Sequence, residues 1–147
     1  MGTPYSKVYD AFLSKINESF FQSLDEEDRE LEFLAYLNQA IPLFLYPKVD
    51  LQDKDDTTQE FADSLTLAEI QILSEIMKLK WIEQQIADEE LIKMQYSDHD
   101  YSLMSQAAHL FRLITLKQEV ELNIRRMQHA YTKVKDRKPD FSGLAGR

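Results

Sequence analysis

Leu65-Thr66-Leu67-Ala68-Glu69-Ile70-Gln71-Ile72-Leu73-Ser74-Glu75-Ile76-Met77-Lys78-Leu79-Lys80-Trp81-Ile82-Glu83-Gln84-Gln85-Ile86 is the run whose reading decides the fold. Thr66 precedes Glu69 by three residues, the spacing of a capping box. The threonine hydroxyl can accept from the Glu69 amide, and the Glu69 carboxylate can accept from the Thr66 amide. Beyond that start the apolar residues form two helical rows. Ile70, Leu73, Met77 and Trp81 make one; Ile72, Ile76, Leu79 and Ile86 make the other. Apolar rows on more than one side predict a helix at the centre of its bundle. Trp81, the single tryptophan, is expected in the core with its indole N–H near a partner. The run builds a scaffold and carries no chemistry.

Composition agrees. A chain of 147 residues is one domain by size. Three glycines and four prolines are too few turn formers for a many-stranded β fold, so a few long helices are predicted. The absence of cysteine excludes disulfides and thiolate sites. No apolar run reaches the roughly 20 residues a membrane-spanning helix needs. The first residues lack the apolar stretch of a secretory signal, and Lys7 breaks the myristoylation pattern. The chain reads as cytosolic.

Upstream of the central run, Thr3 followed by Pro4 is a helix start with a hydroxyl cap and proline at the first helical position. Tyr5, Val8, Tyr9, Phe12, Ile16 and Phe20 then predict an amphipathic helix to about Phe21, its aromatic stripe facing the core. Ser23 with Glu26 makes a capping box for a second helix, and Asp25 to Asp28 suit the positive end of its dipole, which explains these carboxylates without catalysis. Its core face is read as Leu31, Leu34, Asn38, Ile41 and Leu45, and Pro42 should end or kink it near Ala40. Tyr46 to Ser64 reads as the least regular stretch, with Pro47 and the run Asp50 to Asp56 as a solvated loop whose end Phe61 and Leu65 pin onto the bundle. Asp53, Asp55 and Thr57 alternate as in a calcium loop, yet Thr58 replaces its glycine and Ser64 its glutamate.

The central helix is predicted from Leu67 to about Met94, followed by a break at Tyr96-Ser97-Asp98-His99-Asp100, where Asp98 or Asp100 caps the next helix. His99 between two aspartates suggests a metal site, but residues so close cannot converge on one ion without a further ligand. The last helix is read from Tyr101 to Lys135. At 1.5 Å per residue these span roughly 50 Å, more than a compact bundle of this size needs, so one end should project. Pro139 stops it. Residues 136–147 then read as a flexible C-terminal arm, either a frayed terminus or, with Phe141 and Leu144 as apolar anchors, a tail that orders on a partner.

No phosphate-binding glycine loop, nucleophile elbow or H-E-x-x-H motif occurs, and the carboxylates sit at helix starts and loops. Neither a cofactor nor catalysis is expected. Charge is unevenly spread. Residues 125–147 hold seven basic and two acidic side chains, a net +5, against ten and 24 before them, a net −14. Such polarity suits an electrostatic contact with another copy or a partner. Arg125, Arg126, Lys133, Lys135, Phe141 and Leu144 are the candidate contact residues.

Met1-Gly2-Thr3-Pro4-Tyr5-Ser6-Lys7-Val8-Tyr9-Asp10-Ala11-Phe12-Leu13-Ser14-Lys15-Ile16, the Leu65–Ile86 run and Tyr101-Ser102-Leu103-Met104-Ser105-Gln106-Ala107-Ala108-His109-Leu110 together resemble the head–tail connector, or adaptor, proteins of tailed bacteriophages. The similarity extends to roughly Tyr131 and is one of helices and scattered residues. It implies an all-α bundle of about four helices, residues 1–135, repeated in a ring, commonly of twelve copies, beneath the portal protein. Such a ring lies in the virion neck after assembly in the host cytoplasm. It extends the channel through which DNA passes without specific binding, and it offers a platform to further neck or tail proteins. The rival reading is a helical protein-binding or regulatory module with no assembly role; an enzyme built on Asp98-His99-Asp100 is a third.

Overall fold

The computed structural model describes residues 2–16, 24–95 and 100–136; residues 92–95, 100–106 and 134–136 are described by backbone alone. The chain is a mostly α-helical bundle. Among the described residues the order is β1 (Thr3–Pro4), α1 (Tyr5–Leu13), α2 (Glu26–Ala40), a 3-10 turn (Ile41–Leu43), β2 (Lys54–Asp55), β3 (Glu60–Phe61), α3 (Leu67–Gln95) and α4 (Asp100–Asp136).

The capping box forms as the sequence predicts. The Thr66 amide donates to a Glu69 carboxylate oxygen at 2.7 Å, and the Glu69 amide donates to Thr66 Oγ1 at 3.2 Å. From there α3 is the helix against which α1, α2 and α4 all pack. Ile72, Leu73, Ser74, Glu75, Ile76 and Met77 are buried in succession, so the helix is enclosed on every side over this stretch. Two apolar rows separated by polar residues require that arrangement. Trp81 is half-buried and packs against the core from its edge.

Several local expectations are corrected. Thr3 does not cap α1. Thr3 and Pro4 form a strand antiparallel to β3, with Thr3 opposite Phe61 and Pro4 opposite Glu60, and β2 pairs on the far side of β3 in the order β1-β3-β2. The Thr3 hydroxyl instead donates to the Asp63 carbonyl at 3.1 Å and accepts from the Leu65 amide at 2.8 Å. The first helical amide, that of Tyr5, is capped by the Gln59 carbonyl at 2.8 Å. Gln59 reaches this position in the left-handed region, at φ 57°. The run read as a solvated loop therefore contains one strand, β2, and the irregular stretch after it a second, β3, which ties down the N-terminus. Within it the Asp55 carboxylate accepts from the Thr57 amide at 2.8 Å, a turn-closing role for an aspartate of the calcium-like pattern. Phe61 is buried and Leu65 half-buried, the anchors expected of the loop's end.

Helix α1 ends at Leu13, short of Phe21. Ser14 donates its hydroxyl to the Ala11 carbonyl at 2.6 Å, and the amides of Lys15 and Ile16 reach back only three residues, which tightens the last turn. Phe20, Phe21 and Ser23 lie outside the described residues. The cap of α2 is Asp25, whose carboxylate accepts from the Asp28 amide at 2.8 Å. The α2 core face is Phe33, Tyr36, Leu37 and Ala40; of the residues read for it, Ile41 is buried and Leu34 packs half-buried against the core, whereas Leu31, Asn38 and Leu45 are exposed. The period was legible; its phase is set by the rings across the interface. Tyr9 and Phe33 lie 5.2 Å apart between centroids, Phe12 and Phe33 5.9 Å, and Phe12 and Tyr36 5.9 Å. Helix α2 turns to satisfy these aromatic contacts. Its end at Ala40, with Pro42 in the following 3-10 turn, is as predicted.

Helices α3 and α4 hold the predicted spans to within a residue or two and form an antiparallel hairpin. Glu69 meets Tyr131 near one end, and His109 lies 3.5 Å from Glu89 near the other. Toward that second end Leu91 and Phe111 are 59% and 70% exposed, so the hairpin carries apolar side chains into solvent. No helix among the described residues is long and apolar enough to cross a membrane.

Candidate partner-contact surface

The C-terminal half of α4 is fastened to the bundle by two side chains. Gln128 accepts from the Leu45 amide through Oε1 at 2.5 Å and donates Nε2 to the Leu43 carbonyl at 3.3 Å. Tyr131 donates its hydroxyl to Glu69 Oε2 at 2.7 Å and accepts from the Lys48 amide at 2.9 Å. The Phe44 ring meets the Tyr131 ring edge-on at 5.3 Å, and Lys48 Nζ sits 4.9 Å from the centroid of Tyr131. Burial, and then the hydrogen bond to Glu69, push the Tyr131 hydroxyl up to about 12. It remains a neutral donor at physiological pH. Glu69 thus closes the helix cap with one oxygen and receives Tyr131 with the other.

With Val120, Ile124, Gln128 and Tyr131 buried, helical spacing turns Phe111, Gln118, Leu122, Arg125, His129 and Lys133 outward along one face. Arg125, Arg126 and Lys133 are exposed, and none of them forms an ion pair with another described residue. The structure therefore brings three of the candidate contact residues onto one surface. The side chain of Lys135 lies outside the described set, as do Phe141 and Leu144. Of the proposed metal cluster, Asp98 and His99 also lie outside it, and Asp100 is described by backbone alone. Among the described residues no group of three or more His, Cys, Asp or Glu side chains is placed to hold a metal ion.

The acidic counterpart is on α2. Glu26, Glu27, Asp28, Glu30 and Glu32 are all exposed. Helix α3 separates the two surfaces: Gln71 and Ile72 line a groove with α4, whereas Gln84 and Asp88, about half a turn round the helix, line a cleft with Glu32 and Tyr36 of α2. The basic residues of α4 and the acidic residues of α2 thus lie on opposite sides of α3.

Two features of this region have no signal in the sequence. One is the buried ion pair of Lys15 Nζ with Glu75 Oε2 at 3.2 Å, which joins the end of α1 to α3; Glu75 gives no hint that it faces inward apart from its place between Ile72 and Ile76. The other is the groove, of about 440 Å³, between the start of α3 and the C-terminal half of α4. No protein-family model, curated protein or solved structure matches the chain.

Proposed function

We propose that the protein is a structural head–tail connector subunit, joined to copies of itself in a ring beneath a phage portal and performing no reaction. The observation that carries this reading is the placement of an exposed basic face on α4 and an exposed acidic face on α2 at opposite sides of α3. A ring is closed by heterologous contacts, in which one surface of each subunit meets a different surface of the next. Opposed charges on opposed faces give such a contact both attraction and direction, and they disfavour the like-on-like pairing of a two-fold dimer. The exposed Leu91 and Phe111 toward the far end of the α3–α4 hairpin offer apolar side chains to a portal or tail protein. The net charge of −9 leaves acidic surface to line a channel from which DNA phosphates are repelled, as a conduit requires. The resemblance of the first sixteen residues, the central run and the start of the last helix to phage adaptors points the same way.

The test is to mix the purified chain with the portal protein encoded in the same genome and image the particles. A ring of this chain stacked on the portal ring is the expected result. A monomer that persists and shows no affinity for the portal overturns the proposal and favours a regulatory binding module.

A further inference from the structure

The groove beside the Glu69–Tyr131 contact is open and apolar. Ala68 and Ile72 of α3 face Met127, Ala130 and the Tyr131 ring of α4, with Lys48, Thr66 and Gln71 at its rim. Leu67, one residue from this lining, is 73% exposed. About 440 Å³ falls in the range of pockets that hold small ligands or peptide side chains, roughly 300–1,000 Å³. Its apolar walls offer little to a charged ligand, and an uncovered apolar patch of this kind marks a contact surface.

We propose that in the free chain this groove is occupied by the chain's own segment Phe141–Leu144. Three observations select this occupant. Helix α4 runs to Asp136, so the segment leaves the bundle at the end where the groove lies, only five residues past Tyr131. Returning from Asp136 to the level of Ala130 covers about 9 Å along the helix. The five steps from Asp136 to Phe141 reach about 17 Å when extended, which leaves slack for a reversal at Pro139. Finally, Phe141 and Leu144 are the only large apolar residues after Val134, spaced to enter one groove together, and Asp140 beside them can face Lys48 at the rim. So short a tether gives the segment a high effective concentration at its own groove, which favours it over the same segment of another molecule. The inference does not depend on the ring, since it concerns the free subunit.

The chain has no cysteine, so a single introduced thiol reports on the groove alone. Ala130→Cys places one in the lining at an exposed position, and its rate of maleimide labelling is measured in the full chain at low and high protein concentration. Protection at both concentrations, relieved about tenfold by adding Phe141→Ala and Leu144→Ala, is the expected result. A control thiol at His129→Cys, on the outward face, should label at one rate with or without those changes, and circular dichroism checks that each variant is folded. Protection that appears only at high concentration makes a second copy the occupant and overturns the proposal. Labelling of Ala130→Cys as fast as that of His129→Cys, indifferent to Phe141 and Leu144, overturns it as well.

Discussion

The hydroxyl of Tyr131 lies 2.7 Å from Oε2 of Glu69, a carboxylate that is itself 2.7 Å from the Thr66 amide. One buried acid therefore starts α3 and receives α4. Tyr131→Phe removes the donor to Glu69 and the acceptor of the Lys48 amide while leaving the ring in place. An unsatisfied buried polar group costs about 1–3 kcal/mol. A loss of stability of that size is expected in urea denaturation, with little change in the slope.

Lys15 and Glu75 form a further, largely buried contact between elements, with side chains 20% and 6% exposed. Removing one member of a fully buried pair costs about 3–5 kcal/mol, while replacing both by apolar residues is often neutral. Because Lys15 keeps some water, Lys15→Met should fall at or just below the lower edge of that range. Adding Glu75→Leu should restore most of the loss. A double-mutant cycle in chemical denaturation reads both outcomes.

Gly2 has its backbone against the Phe61 carbonyl so closely that a Cβ would collide with that oxygen. Gly2→Ala must push β1 away from β3, with a cost of about 1–3 kcal/mol typical of overpacking. Thermal unfolding should show the loss, and hydrogen exchange should show faster exchange at the Tyr5 amide, which rests on Gln59.

Stability should fall at both ends of the pH scale. Lys54 and then Tyr5 hold the Asp56 carboxyl below its ordinary value through hydrogen bonds of 2.6 Å each. A lowered folded pKa gives stability that is fully present above the ordinary carboxylate value and is lost as pH falls through the folded one. Asp56→Asn should flatten the acid limb of a plot of urea midpoint against pH. Burial pushes the hydroxyls of Tyr36 and Tyr131 up to about 12 from 10.0, so their contribution is complete below pH 10.0 and disappears toward pH 12. Tyrosinate absorbance should rise together with loss of helical circular dichroism in that window.

Reversing the outward charges, Arg125→Glu with Arg126→Glu and Lys133→Glu, touches no ion pair within the subunit among the described residues. The melting temperature should change little, since exposed charges contribute at most about 1 kcal/mol each. Assembly on the portal should be abolished, and sedimentation would show the variant free beside it.

Features read from neighbours in the chain were legible. The Thr66–Glu69 cap, the end of α2 before Pro42 and the spans of α3 and α4 follow from spacings of a few residues, and all four stand in the structure. What was not legible depends on distant partners. Thr3 reads as a cap until Phe61 comes alongside it, and two-residue strands leave no alternation to detect. The α2 pattern gives a period, but only Tyr9 and Phe12 decide that Phe33 rather than Leu31 faces inward. Of the candidate site, the basic residues were visible as charge. Their presentation on one face depends on Gln128 and Tyr131 being turned inward, and the groove beneath them exists only once α3 and α4 have met.

The clasp that Gln128 and Tyr131 make on Leu43, Leu45 and Lys48 joins positions more than eighty residues apart. During synthesis the early part of the chain leaves the ribosome long before the groups that fasten it exist. The turn after α2 must wait, its amides still bound to water, until the last helix has emerged. Maturation of this molecule is therefore closed from its far end, and a nascent chain stalled before Gln128 would expose that turn to proteases.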